Sequence, residues 1–378
     1  MKIANLRTPC LLIDSDKMQR NIARLSEQVG RLHCTLRPHV KTHKSVAITK
    51  AIEKGGNTKG ITVSTLKEAE YFFAAGYRDI LYAVGIAPNK FSGVSALMQQ
   101  GCDIKVILDS VEAVTQLQHY AHQHDCTFNA MIELDVDNHR AGVQAESDDL
   151  MVIATLLDSS PGLNLIGVMT HAGGSYDCFD RASQEALAIQ ERDLSLLAAR
   201  RIRDAGIACP VVSIGSTPTA FAIDNLIGIT EVRAGVYVLF DLVMAGLGVC
   251  SIDDIAISVL GSIIGFQKQK QIALTDAGWM AMSRDRGTSE HRVDQGYGVI
   301  CDLHGNPRPD MILHSANQEH GIIAMREADA LFPFDQFDIG TLVRVLPNHA
   351  CSTAAQYDDY YLVSDNMVIA KLAAISGW

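Results

Sequence analysis

The sequence predicts an α/β protein: a (β/α)8 TIM-type barrel over residues 1–245, followed by a β-rich C-terminal domain over 246–378. Two observations carry that prediction. Apolar, β-branched runs alternate eight times with segments of helical period, and after about residue 245 helical runs become scarce. A third observation removes the nearest competitor. An open doubly wound sheet would carry a Gly-rich phosphate fingerprint after its first strand, and TLRPHVKTHK carries none.

Taken in order, the barrel strands are expected at 35–39, 60–64, 79–84, 103–109, 128–134, 164–171, 210–215 and 229–234. Helical spacers between them include SVAITKAIEK, LKEAEYFFAAG, VEAVTQLQHYAHQ and the long ASQEALAIQERDLSLLAARRIRDAG. Several end at Gly, a favoured residue just past a helix C-terminus. Beyond residue 245, IAISVLGSIIGF, QIALTDAG, YGVICDL and GTLVRVLP are short strand signals separated by Gly, Pro and Asn.

Composition excludes some function classes. With 378 residues, 48% of them hydrophobic, the chain can bury a large core. Its net charge of −11 argues against general nucleic-acid or anionic-membrane binding, so any anion site must be local. The nine cysteines are odd in number and form no CxxC pair, which fits reduced thiols in a cytoplasmic protein. No stretch approaches the roughly 18 apolar residues that would span a bilayer.

In a (β/α)8 barrel, chemistry sits at the C-terminal ends of the strands. Those ends supply Lys41, Ser64, Thr65, Asp109, Ser110, Asp135 to Arg140, His171 with Tyr176, Gly215–Ser216–Thr217, and Arg233 with Gly235. The turn GSTPT is an ordinary helix N-cap or, with the nearby VRAGV, a cradle for a phosphate dianion. Lys41 lies in RPHVKTHK, either as a solvated loop charge or as an amine for a Schiff base to a phosphorylated aldehyde. In the second case Arg37, Lys44 and protonated His39 or His43 would lower its pKa. LPNHACSTA places His349 and Cys351 two apart, so an extended segment would turn both toward one metal ion. Two protein ligands leave positions open, which suits a Lewis acid. His119, His122 and His124 lie toward the end of a surface helix, away from the strand mouths.

Together these blocks resemble a known group, the alanine-racemase-fold (fold type III) pyridoxal-phosphate enzymes. Within it they are similar to the metal-dependent D-serine dehydratase and D-threonine aldolase family. RPHVKTHK, GITVSTLKEAE, THAGGSY, SIGSTPT, EVRAGVYVLFD, DAGWMAMSRDRGT, NQEHG and LPNHACSTA carry the likeness across essentially the whole chain. The resemblance implies that Lys41 bonds pyridoxal 5'-phosphate and acts as the catalytic base. His171 would lie beside the pyridine ring, Arg233 at its nitrogen, and Tyr176, Thr217, Gly235 and Val236 would hold the cofactor. His349 and Cys351 would bind one divalent metal, zinc by its taste for thiolate and imidazole, with manganese or magnesium as alternatives. The aldolases carry Asp at the second ligand, so Cys351 implies dehydration.

The implied substrate is a small D-3-hydroxy amino acid. Arg284 and Arg286 in SRDR read either as a surface ion-pair run or as a fork for a second substrate carboxylate, which favours a hydroxyaspartate over D-serine. Gln318 and His320 in NQEHG either orient a hydroxyl at the metal or satisfy a turn. The family also implies a homodimer with shared active sites. Dehydration of D-serine and aldol cleavage stand as the alternatives.

Overall fold

The computed structural model describes residues 1–378. All eight expected strands form: Thr35–Pro38, Ile61–Val63, Asp79–Gly85, Asp103–Leu108, Phe128–Asp135, Leu163–Thr170, Val211–Ile214 and Glu231–Ala234. They run parallel in sequence order, and the eighth pairs with the first through Glu231↔Thr35 and Ala234↔Pro38. Bridges Leu36↔Thr58 and His39↔Thr62 join the first to the second, which closes the sheet into a barrel. Parallel strands covered on both faces need near-continuous apolar runs, and these runs supply them. Leu81, Ile107, Met131 and Met169, one from each of four neighbouring strands, form one buried cluster.

Helix starts follow the sequence signals. Thr65, Ser110 and Asp180 accept backbone N–H groups three residues on, from Glu68, Ala113 and Ser183. Thr65 and Ser110 stand at strand ends, and their work is capping. The long helix Arg181–Asp204 buries Gln184, Ala188, Glu191, Ser195, Ala198 and Ile202 along one stripe. That stripe is apolar or small except where Gln184 and Glu191 interrupt it.

The second sheet is antiparallel for most of its nine strands. Ile257–Gln267, Ile272–Thr275, Gly298–Cys301, Pro307–Ala316, Gly321–Met325 and Leu342–Pro347 form a ring, because Ile272–Thr275 pairs with both Ile257–Gln267 and Gly321–Met325. A strand from the other end of the chain, Cys10–Asp14, is built into this sheet. It runs antiparallel to Ile257–Gln267 (Cys10↔Leu260) and parallel to Asp359–Ser364 (Leu12↔Tyr361).

Packing accordingly divides the chain, apart from its last residue, into two compact units. One is Arg24–Lys41 with Thr49–Gly235; the other is Met1–Ala23, Thr42–Ile48 and Val236–Gly377. The expected division at 245/246 treated each domain as one stretch of chain. The units are discontinuous instead, because the partners of Cys10–Asp14 lie more than two hundred residues away. All nine cysteines are free thiols, and no helix is long and apolar enough to cross a membrane.

Candidate active site

In the barrel unit, the residues after the sixth and seventh strands are tied to each other. The Ser175 and Ser216 hydroxyls hydrogen-bond at 2.8 Å. Glu191 reaches in from the long helix, and its Oε1 accepts the N–H of Ala172 at 3.1 Å and of Gly215 at 3.0 Å. Burial raises the Glu191 pKa. Gly215 is required where it stands. Its φ is +130°, and a Cβ there would lie 2.3 Å from the Arg233 carbonyl oxygen.

His171 is half-buried, with Nδ1 at 3.2 Å from the Gly215 carbonyl oxygen. A carbonyl only accepts, so Nδ1 carries the proton and donates it. Burial, and then the Lys41 charge, push the His171 pKa down to about 3, so the imidazole is neutral. Tyr176 lies beside it, ring centroids 6.3 Å apart. The turn that follows contains an unusual group: Thr217 Oγ1 is buried with no hydrogen-bond partner. A buried hydroxyl without a partner is costly, and an acceptor oxygen entering the turn would satisfy it. Arg233, almost fully buried, donates to Ser213 Oγ and to the Thr170 carbonyl on the two preceding strands. Burial lowers its pKa. Gly235 ends this stretch of chain, and Val236 begins the short turn Val236–Val238.

Lys41 is exposed at the end of the first strand. Its expected cationic surroundings need correction. Arg37 is locked between Glu231, at 2.8 Å, and Asp79, at 2.9 Å, so its charge is spent inside the barrel. His39 is held well below its usual pKa by burial and then by Lys41, and burial alone pushes His43 down to about 3. Both histidines are neutral.

In the β unit, His349 and Cys351 do converge, though not on an extended segment. His349 has extended backbone and caps the short helix Ala350–Ala354, on whose first turn Cys351 sits. Their side chains are within hydrogen-bonding reach. Thr42 Oγ1 lies 3.2 Å from Cys351 Sγ. His349 Nδ1 lies 2.6 Å from Asp285 Oδ2, and the fully buried Asp241 accepts the Ala350 N–H at 2.8 Å. No cluster of three or more His, Cys, Asp or Glu side chains forms a metal cage, in this unit or around His119, His122 and His124. An imidazole and a thiol with no third protein ligand suit a divalent ion that keeps open positions.

The remaining sequence candidates are dispersed. The Arg284 guanidinium lies 4.3 Å from the centroid of the Trp279 ring, while Arg286 bonds Asp294 at 2.6 Å. Gln318 and His320 are exposed on the hairpin turn between Pro307–Ala316 and Gly321–Met325, where backbone bonds such as Asn317 N–H to the His320 carbonyl form the turn. Sequence reasoning missed Glu191, Asp241 and Asp285. Glu191 alone left a periodic signal, an acid on the buried stripe of a helix; Asp285 lay inside a motif read only for its arginines.

A closed parallel barrel with a lysine after its first strand, joined in one chain to a β-rich unit, is the architecture of the alanine-racemase class. Residues 13–242 match the alanine racemase N-terminal domain, and residues 256–363 match the serine dehydratase domain. The chain belongs to the alanine-racemase-fold dehydratases, lyases whose family cofactor is pyridoxal phosphate. It is 48% identical to the D-threo-3-hydroxyaspartate dehydratase of Delftia sp. (strain HT23), covering 100% of this chain and 99% of that one. It is 30% identical to the D-serine dehydratase of Dictyostelium discoideum, covering 100% and 98%. A cysteine-to-alanine variant of the D-threo-3-hydroxyaspartate dehydratase, solved in a metal-free form, aligns at TM-score 0.97 and 48% identity with both chains covered in full.

Proposed function

We propose that the protein eliminates water from D-threo-3-hydroxyaspartate, giving oxaloacetate and ammonia, with pyridoxal phosphate on Lys41 and a divalent metal on His349 and Cys351. The observation that carries this reading is the His349–Cys351 pair, in a chain alike over its full length to a dehydratase of that substrate. A histidine and a cysteine substituted in solved variants of that dehydratase have the same spacing as this pair.

When bound, the cofactor supplies an electron sink for the substrate Cα and the metal a Lewis acid for its β-hydroxyl. The chain does the rest. Lys41, as a free amine, would take the substrate Cα proton. Thr217 and the Gly215 turn receive the phosphate, and Tyr176, Gly235 and Val236 complete its hold. Neutral His171, fixed by its bond to Gly215, would lie beside the ring without adding charge. Arg233 only donates, so at the pyridine nitrogen it would leave that nitrogen unprotonated. Elimination tolerates the weaker sink because the leaving hydroxyl carries electrons away. The released enamine then hydrolyses, returning the water and yielding keto acid plus ammonia.

Of the arginines in SRDR, Arg284 is the better fork for the second carboxylate, since Asp294 already engages Arg286. Gln318 and His320 would orient the substrate hydroxyl. We assign zinc as the metal, a homodimer with shared sites as the assembly and the cytoplasm as the location, in keeping with nine free thiols. The test is kcat/KM for D-threo-3-hydroxyaspartate against D-serine, with keto acid and ammonia measured. A large preference for D-serine overturns the dicarboxylate reading, and glycine with glyoxylate as products would mean aldol cleavage. Lys41→Ala should abolish both the visible absorbance and turnover.

A further inference from the structure

The run Ser283–Arg284–Asp285–Arg286 drew attention for its two arginines, yet the structure turns them elsewhere and leaves the aspartate facing His349. We infer that Asp285 is the positioning residue that decides which ring nitrogen of His349 meets the metal, an inference that rests on the metal-dependent reading above. The argument is one of donors and acceptors. Asp285 Oδ2 lies 2.6 Å from His349 Nδ1, and a carboxylate can only accept, so Nδ1 carries the proton. Nε2, directed away from Asp285, is then the one ring nitrogen that can present a lone pair to a metal. A carboxylate behind the ring also makes that lone pair a stronger donor.

Asp285 is itself held. Ser352 Oγ donates to the same Oδ2 at 3.2 Å, the Asp285 N–H donates to Ser283 Oγ at 3.2 Å, and Asn348 Nδ2 donates to its carbonyl at 3.3 Å. Asn348 precedes His349 in the chain, and buried Thr288 donates to Asn348 Oδ1 at 3.1 Å. The segment carrying the acid and the segment carrying the ligand are therefore cross-tied on both sides of the Asp–His bond. Neither arginine engages Asp285: Arg284 rests on Trp279, and Arg286 pairs with Asp294. With no third protein ligand to share the ion, affinity depends heavily on how well each of the two is presented.

The test is metal affinity of the full-length protein, stripped of metal and titrated with zinc against a competing chelator. Asp285→Ala should weaken binding about 10- to 100-fold, while the cofactor absorbance stays close to wild type. Asp285→Asn, which keeps shape and loses charge, should fall between, and serves if the alanine variant misfolds. Cobalt adds a second readout: the thiolate-to-cobalt band should persist in Asp285→Asn, with cobalt bound more weakly. Zinc affinity within twofold of wild type in both variants overturns the assignment alone. A wild-type protein that takes up no divalent ion overturns the dehydratase reading and this inference with it.

Discussion

In the barrel, Glu191 reaches from a helix to the backbone N–H groups of two loops; in the β unit, Asp241 caps one helix and holds the first residue of another. Each unit thus keeps its reactive turn in place with one fully buried carboxylate, but the routes differ. The barrel's side chains hang from parallel strand ends that eight repeats of one pattern already align. The β unit assembles Asp241, Asp285 and His349 from separate stretches of chain, none on a repeating element. The lesson is that a repeating scaffold needs help only where its loops leave the strands, whereas an irregular one must tie each ligand individually.

The strongest way to break this comparison is Leu12→Ala. Leu12 is fully buried on the strand that Ile257–Gln267 and Asp359–Ser364 flank. Its truncation should cost about 2–5 kcal/mol in urea unfolding. A loss below about 1 kcal/mol would mean the N-terminal strand is dispensable to the β unit. Next come the two carboxylates. Glu191→Ala and Asp241→Ala each orphan two buried N–H groups, a cost of about 2–4 kcal/mol. Glu191→Ala should weaken cofactor retention, read by absorbance, and Asp241→Ala should weaken metal uptake. Crossed outcomes would end the parallel.

The smallest effect concerns acid. Native His43 stays neutral down to about pH 3, while in the unfolded chain it takes up a proton below its ordinary value of 6.5. The unfolded state binds more protons across that window, so stability falls as pH drops from about 6.5 toward 3. At pH 5 the loss from this group is about 2 kcal/mol, and His43→Gln should remove it from the difference between pH 7 and pH 5 midpoints. His171, held down to about 3 by burial and then by Lys41, moves the same way.

The barrel was legible because its signal is local and repeated: a buried apolar run, a cap such as Thr65 or Ser110, a helical stripe, eight times over. Lys41, His171 and Thr217 stand at the strand ends where the alternation placed them. The pairing of Leu12 with Tyr361 leaves no local trace, so the place of the N-terminal strand in the second sheet was not legible. Charge was misjudged for the same reason. RPHVKTHK looks cationic only until Glu231 and Asp79, far along the chain, claim Arg37 and burial neutralises two histidines. HAC was recognisable as a pair, but its backbone was not, since a capping histidine and an extended one look alike in sequence.

The strand Cys10–Asp14 also sets an order of events during synthesis. As CLLID it emerges well ahead of its neighbours at 257–260 and 361–363, which are made more than two hundred residues later. The barrel segments between them can condense meanwhile, since their pairings are sequential. Until those neighbours are made, four buried apolar residues of that strand lack their sheet partners, a natural early target for chaperones.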